Sequence, residues 1–129
     1  MTYGLDAAFG RAVDNENVRV IVLGGNGEHF SAGHDIGTPE RDHHVHYDNR
    51  AVWWDHVGKS AGDQRFAREA EVYLGMCRRW REIPKPIVAM IQGACIAGGL
   101  MLDERYRMTI AFGDITKLTG LGSVQLSFK

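Results

Sequence analysis

The order of apolar and polar positions along the chain predicts alternating helices and strands. Leu5, Ala8, Phe9, Ala12 and Val13 recur at helical spacing. They predict a short amphipathic helix that ends in the turn-prone residues 14–17. Residues 18–23 (Val-Arg-Val-Ile-Val-Leu) are β-branched and almost entirely apolar, which is typical of a strand buried on both faces in a parallel sheet. The alternation therefore favours an α/β fold.

A second helix and a second strand are predicted after a polar, histidine-rich segment at residues 37–62, which has the character of a long, partly ordered loop. The helix has Asp63 as its predicted N-cap and ends before Pro84. Its apolar face is predicted to consist of Phe66, Ala70, Tyr73, Cys77 and Trp80. Residues 87–91 (Ile-Val-Ala-Met-Ile) then predict a buried strand. Two strands joined through a helix indicate a right-handed crossover, which brings their glycine-rich ends to the same edge of the sheet.

Composition limits the classes of partner. The 129 residues, with 44% hydrophobic content, fit one globular domain with a modest core. Because 15 basic residues balance 16 acidic ones, no electrostatic signature of nucleic-acid or membrane-surface binding is present. The contexts of Cys77 and Cys95 favour reduced, buried thiols over a disulfide. No signal-peptide pattern or apolar run of about 18 residues is found, so the sequence predicts a cytoplasmic protein.

Two glycine-rich segments, residues 30–36 and 93–102, are the main candidates for chemistry. Each follows a predicted buried strand and combines small residues with backbone N–H groups that a ligand can reach. Two such N–H groups that converge form an oxyanion hole. Gly98 and Gly99 also precede a predicted helix, whose N-terminus favours an anion. The alternative is that these small residues only permit close packing.

The two segments together resemble the crotonase superfamily, also called the enoyl-CoA hydratase/isomerase family. The resemblance rests on the order of the strand at residues 20–23, Phe-Ser-Ala-Gly-His-Asp-Ile at 30–36, Pro-Lys-Pro at 84–86 and Ala-Gly-Gly at 97–99. It implies an α/β fold of the crotonase-like (ClpP/crotonase) type, with a β-β-α spiral core that is incomplete at both ends. Residues 1–102 would form this core segment, and residues 103–129 a divergent tail of uncertain structure. Within this tail, residues 108–112 and 124–128 carry a weak strand signal.

The resemblance also implies a site and a substrate. The backbone N–H groups of His34 and Gly98 would bind the thioester carbonyl of an acyl-CoA and stabilise its enolate. The residues implied to contact the CoA moiety are Ser31, Ala32, Asp35 and Ile36. Coenzyme A would enter as part of the substrate, with no tightly bound cofactor and no metal. The family also implies a homotrimer or hexamer.

Three departures from the family pattern leave catalysis open. Hydratases of the family carry a glutamate where this chain has Met101, and a thioether cannot transfer a proton. The region of a second family glutamate has no counterpart, and Glu104, one helical turn further on, is poorly placed to substitute. Residues 103–107 are mostly charged where the family is apolar. The enoyl-CoA hydratase or isomerase activity therefore competes with a non-catalytic remnant that binds CoA or only associates with other subunits.

Other motifs have weaker alternatives. His34, His43, His44 and His46 lack the spacing of a metal site, so a solvated loop is favoured. The motif around His34 also resembles the decarboxylase branch of the superfamily, which leaves the reaction type open. Glycines 24, 25 and 27 do not meet the dinucleotide-binding pattern. Basic residues 78, 79, 81 and 85 could contact CoA phosphates, but cations near a helix C-terminus are expected from the helix dipole alone.

Overall fold

A computed structural model describes residues 1–35, 46, 56–97, 108–111 and 123–128. The chain divides into two compact units, one of Met1–His34 with Trp80–Lys129 and one of Asp35–Arg79. Of the predicted loop at 37–62, the structure describes residues 46 and 56–62, and the helix predicted after Gly99 lies outside the described residues.

The first unit is built on a four-stranded parallel sheet in the order β3-β2-β1-β4. The strands are β1 (Val20–Gly25), β2 (Ile87–Met90), β3 (Met108–Ala111) and β4 (Ser123–Phe128). Ile21 is aligned with Ile87 and Leu23 with Ala89, and all four side chains are buried. The prediction of a parallel sheet with a fully buried first strand is confirmed, with that strand beginning two residues later than expected.

Residues 103–129 contribute both edge strands of this sheet. The weak strand signals at residues 108–112 and 124–128 are confirmed as β3 beside β2 and β4 beside β1. The division of the chain at residue 102 into core and divergent tail stays a prediction.

The predicted first helix is confirmed as α1 (Thr2–Asp14). Leu5, Phe9 and Ala12 are buried, as their helical spacing requires. The ring of Phe9 lies 5.2 Å from that of Trp80, at an interplanar angle of 50°. The indole N–H of Trp80 donates a hydrogen bond to the Asp6 carboxylate, so the buried polar edge of the indole is satisfied.

The Pro-Lys-Pro motif joins α1 to the sheet. The ammonium group of Lys85 donates to the carbonyl oxygens of Ala12 at 2.7 Å and Asn15 at 2.8 Å. These are carbonyls of the last turn and C-cap of α1, where a cation also complements the helix dipole. The next carbonyl, that of Pro86, accepts from the Ile21 N–H at 2.9 Å. Lys85 is therefore hydrogen-bonded at the C-terminus of α1, and α1 is not the helix that directly precedes it in sequence.

The second helical region is continuous from Ala61 to Arg81, in the order α2 (Ala61–Glu69), a π-helical segment (Ala70–Met76) and α3 (Cys77–Arg81). A helix at this place was predicted, and its Trp80 is buried as expected, but the rest of its buried face is different. Phe66 is 66% exposed, and Ala70, Tyr73 and Cys77 are half-buried. The buried stripe is Ala67, Val72, Met76 and Trp80. Its spacing includes one step of five residues, because hydrogen bonds in a π-helix join residues five apart and rotate the following side chains.

A partly buried ion pair, in which only the carboxylate is fully buried, accompanies the π-helical segment. Glu71 is 2% exposed, and its carboxylate accepts from the Arg79 guanidinium at 2.9 Å. Burial raises the pKa of Tyr73 above its usual value, and the nearby Glu69 carboxylate raises it further. Tyr73 therefore remains protonated at neutral pH.

The predicted N-cap of the second helical region, Asp63, is wrong. Ser60 occupies that position, and its hydroxyl donates to Asp63 at 2.9 Å.

Cys77 and Cys95 are both free and half-buried, so the predicted reduced state agrees with the structure while full burial does not. Of the helices that are described, none combines the length and hydropathy of a membrane span.

Replacement of Lys85 by methionine removes both hydrogen bonds to the end of α1 while keeping the aliphatic stem. We expect the free energy of unfolding to fall by about 1–2 kcal/mol, measured by urea denaturation. Arg65→Met, which removes an exposed cation from α2, is the control and should change stability by less than about 0.5 kcal/mol. Equal losses in the two variants would show that charge alone, rather than the bonds to α1, explains the effect.

Candidate functional site

The candidate site lies where the chain leaves β1 and β2. The carbonyl oxygens of Gly25, the last residue of β1, and of Gly27 accept hydrogen bonds from the Gln92 side-chain amide at 2.6 and 3.2 Å. Gly25 packs directly on the following segment, since a Cβ added there would lie 2.7 Å from the carbonyl oxygen of Phe30. Such a close approach requires glycine. The turn after β1 is thus closed by a residue that follows β2.

The two glycine-rich segments are paired through their backbones. The Phe30 N–H donates to the Gln92 carbonyl at 2.8 Å, the Ser31 N–H donates to the Ala94 carbonyl at 3.1 Å, and the Ile96 N–H donates to the Ser31 carbonyl at 3.0 Å. Ser31 and Cys95 consequently form an isolated parallel bridge. The predicted meeting of the two segments at one edge of the sheet is confirmed.

Beyond the bridge, each segment turns into a conformation with positive φ. Gly33 has φ +93° and Ala97 has φ +46°. The Gly33 N–H donates to the Ser31 hydroxyl at 3.2 Å, and a Cβ added at Gly33 would lie 3.4 Å from the Ile96 carbonyl oxygen. An alanine with positive φ is uncommon and stores local strain of roughly 1–3 kcal/mol. The strained residue directly precedes Gly98.

A further contact ties the segments together at their start. Gly93 has φ +58°, and a Cβ there would overlap the Glu28 carbonyl oxygen and the His29 ring. The next N–H, that of Ala94, donates to Nδ1 of His29 at 3.2 Å. Residues 28 and 29 therefore lie directly against residues 93 and 94.

The predicted site residues have different environments. Ser31 is half-buried, with its backbone N–H and carbonyl in the bridge and its hydroxyl bonded to Gly33. Ala32, His34 and Asp35 are exposed. Ile36, Gly98 and Met101 lie outside the described residues. The structure thus brings residues 31–33 together with 95–97, whereas the approach of the His34 and Gly98 N–H groups to each other stays a prediction.

Sequence reasoning assigned no role to His29 or Gln92, and it included Gly93 only as the first residue of the second glycine-rich segment. One signal was present, since a polar residue and a glycine directly after a buried strand often close a turn. The partner of each could not be inferred, because the contacts span 65 to 67 residues along the chain.

Among the residues that the structure describes, no group of three side chains suits a metal ion. The predicted histidine-rich region at positions 43 and 44 lies outside those residues. Of the basic residues considered for CoA phosphates, Lys85 is bonded to α1 and Arg79 to Glu71.

Known proteins support the family resemblance. The chain is 34% identical over 110 residues to a Mycobacterium tuberculosis protein named as the enoyl-CoA hydratase EchA13, covering 79% of this chain and 33% of that protein. Crystal structures named as enoyl-CoA hydratases from Mycobacterium smegmatis and Mycobacterium thermoresistibile superpose with TM-scores of 0.63 and 0.64, at 32% and 33% identity. The chain belongs to the crotonase superfamily. No family model matches the sequence.

The coverage of these relatives is partial. The structural match includes 98% of this chain but only 40% and 41% of the two solved chains. The crotonase-like fold is therefore shown for the part of the superfamily core that this chain contains. Its α/β class, predicted from strand and helix patterns, is confirmed.

Gly93→Ala should weaken the first unit by at least about 2 kcal/mol, because a side chain there adds a backbone overlap to an unfavourable φ. Gly10→Ala is the matched control: it lies within α1, has open space around it and should stabilise by up to about 1 kcal/mol. Thermal unfolding of both variants measures the difference. A stable Gly93→Ala protein would contradict the close approach of residues 28 and 93.

Proposed function

We propose that the chain binds the thioester of an acyl-CoA and stabilises its enolate, in the manner of an enoyl-CoA hydratase or isomerase. The backbone N–H groups of His34 and Gly98 would donate to the thioester oxygen. The observation that carries this proposal is the bridge between Ser31 and Cys95, which fixes the two segments bearing these donors side by side.

The chemistry of an oxyanion hole suits what the described residues offer. The donors are backbone groups, so the hole does not depend on a titratable side chain or on the net charge of the chain. Each donor in such a hole contributes about 2.7–4 kcal/mol to the transition state. Gly33 and Ala97 turn the backbone through positive φ just before each proposed donor, and this is a conformation in which consecutive N–H groups point away from the regular strand direction.

The proposed CoA contacts differ in what they can supply. Ala32 and Asp35 are exposed and can meet the cofactor portion of the substrate directly. Ser31 is held in the bridge, so its contribution would be to shape the segment. Ile36 completes the proposed set. A cytoplasmic location, a role in fatty acid metabolism, and assembly into trimers or hexamers follow from the resemblance and remain predictions.

A second candidate is a binding protein without hydratase activity. Met101 favours it, because hydration of an enoyl thioester needs carboxylates to present water and to handle the α-proton. Such a protein would bind CoA or associate with other subunits of the superfamily.

Crotonyl-CoA distinguishes the two candidates. Loss of the enoyl absorbance would support the enzyme, whereas calorimetric binding of CoA and crotonyl-CoA without turnover would support the binding protein. We expect binding of crotonyl-CoA in either case. An intact, folded protein with no heat of binding for either ligand would exclude the acyl-CoA site itself.

Replacement of Met101 by glutamate should introduce one of the two carboxylates that the family uses. Because a single carboxylate can move a proton but cannot also present water, we expect gain of α-proton exchange on an acyl-CoA without gain of hydration. Exchange of deuterium into butyryl-CoA, followed by mass spectrometry, measures the first activity. Met101→Gln is the matched control, since its amide has a similar shape and does not act as a base at neutral pH.

A further inference from the structure

His29 connects the two glycine-rich segments through a single ring atom. It is exposed and directly precedes Phe30. Its Nδ1 accepts a hydrogen bond from the Ala94 N–H at 3.2 Å, while the Ala94 carbonyl accepts from the Ser31 N–H at 3.1 Å. Both backbone groups of Ala94, its N–H and its carbonyl, are thus hydrogen-bonded to the segment that leads to the proposed donor His34.

Only one protonation state of His29 can make this contact. An imidazole that accepts at Nδ1 must be neutral and carry its proton on Nε2. Protonation of Nδ1 replaces the acceptor by an N–H group that opposes the N–H of Ala94. No rotation within the contact restores it, because both ring nitrogens of the cation are donors.

We infer that His29 is a positioning residue whose neutral ring holds residues 93–97 against residues 29–33, and whose protonation weakens that hold. Because the contact needs the neutral ring, the bridge between Ser31 and Cys95 becomes sensitive to acid. The effect on acyl-CoA rests on the proposed function, whereas the effect on the bridge does not.

Among the residues that the structure describes, the ionisable groups near His29 in sequence and in the paired segments are exposed or half-buried. In the paired segments these are Glu28, His34, Asp35 and Cys95, of which all but the half-buried Cys95 are exposed. Residues 24–27 and 92–94 of the adjoining turns carry no ionisable side chain. The Gln92 amide, which bonds to Gly25 and Gly27, is neutral and keeps its contacts at every pH. Protonation of His29 therefore leaves the Gln92 contacts that close the turn after β1 in place.

Hydrogen exchange of the Ala94 amide tests the inference without any substrate. Exchange rates are measured by NMR over a pH series and corrected for the intrinsic pH dependence of exchange, while the ring signals of His29 report its protonation. We expect protection of Ala94 to fall by about three- to tenfold with the same midpoint as the ring titration.

Substitutions separate the hydrogen bond from the bulk of the ring. His29→Asn keeps an acceptor near the Nδ1 position, so protection should persist and lose its dependence on pH. His29→Leu keeps bulk without an acceptor, and protection should be low at every pH. His46→Leu, which removes another exposed histidine, is the control and should behave as the original protein.

Two results would overturn the inference: pH-dependent protection that persists in His29→Asn, or full protection of Ala94 in His29→Leu. If His29→Leu does not fold, the comparison between the original protein and His29→Asn decides alone. Calorimetry with crotonyl-CoA at the two ends of the pH series then tests the consequence. Absence of binding at both ends counts against the proposed function, while the exchange data still judge the role of His29.

Discussion

The pairing of Ser31 with Cys95 extends the contact between β1 and β2 beyond the ends of both strands. Within the strands, parallel hydrogen bonds fix the register, and buried aliphatic side chains on both faces hold it. Past the strand ends Phe30 is still buried, but residues 31–35 and 91–97 are half-buried or exposed. There the segments are held by a few backbone bonds together with the Gln92 amide and the His29 ring. In sequence, these contacts directly precede the two proposed donors, His34 and Gly98.

This arrangement explains why small residues recur around the bridge. Gly25 lies against the backbone of residues 29 and 30, and Gly93 lies against the backbone of Glu28. At both positions a Cβ has no space. Gly33 has enough room for a side chain only at close contact, but its φ disfavours one. Glycine is thus required for two physical reasons: close approach of another backbone at Gly25 and Gly93, and backbone conformation at Gly33. The prediction that small residues serve close packing and the prediction of an oxyanion hole are compatible, because close packing is what aligns the segments.

The chemistry of the site separates into two parts with different requirements. Stabilising a negative oxygen needs only backbone N–H groups held in place, and under the proposed function the paired segments would supply the framework for them. Moving protons needs carboxylates at defined positions, and the family position is occupied by Met101. A chain of this superfamily can therefore keep the binding framework while its acid–base chemistry changes. The partial coverage of the relatives, 33% of the curated protein, leaves the reaction of the whole protein as a proposal.

The sequence alone determined the α/β class, α1, β1 and β2, because apolar residues at periods typical of helix and strand have few alternatives in a buried sheet. It also determined the two glycine-rich segments and their family. The buried face of the helix from Ala61 to Arg81 was decided only by tertiary structure. A π-helical segment changes the spacing of the buried residues Ala67, Val72, Met76 and Trp80, and no local propensity predicts such a segment. The roles of Lys85, Gln92 and His29 were likewise decided by the fold, since each depends on a partner more than 60 residues away in sequence, which only the packed chain brings within hydrogen-bonding distance.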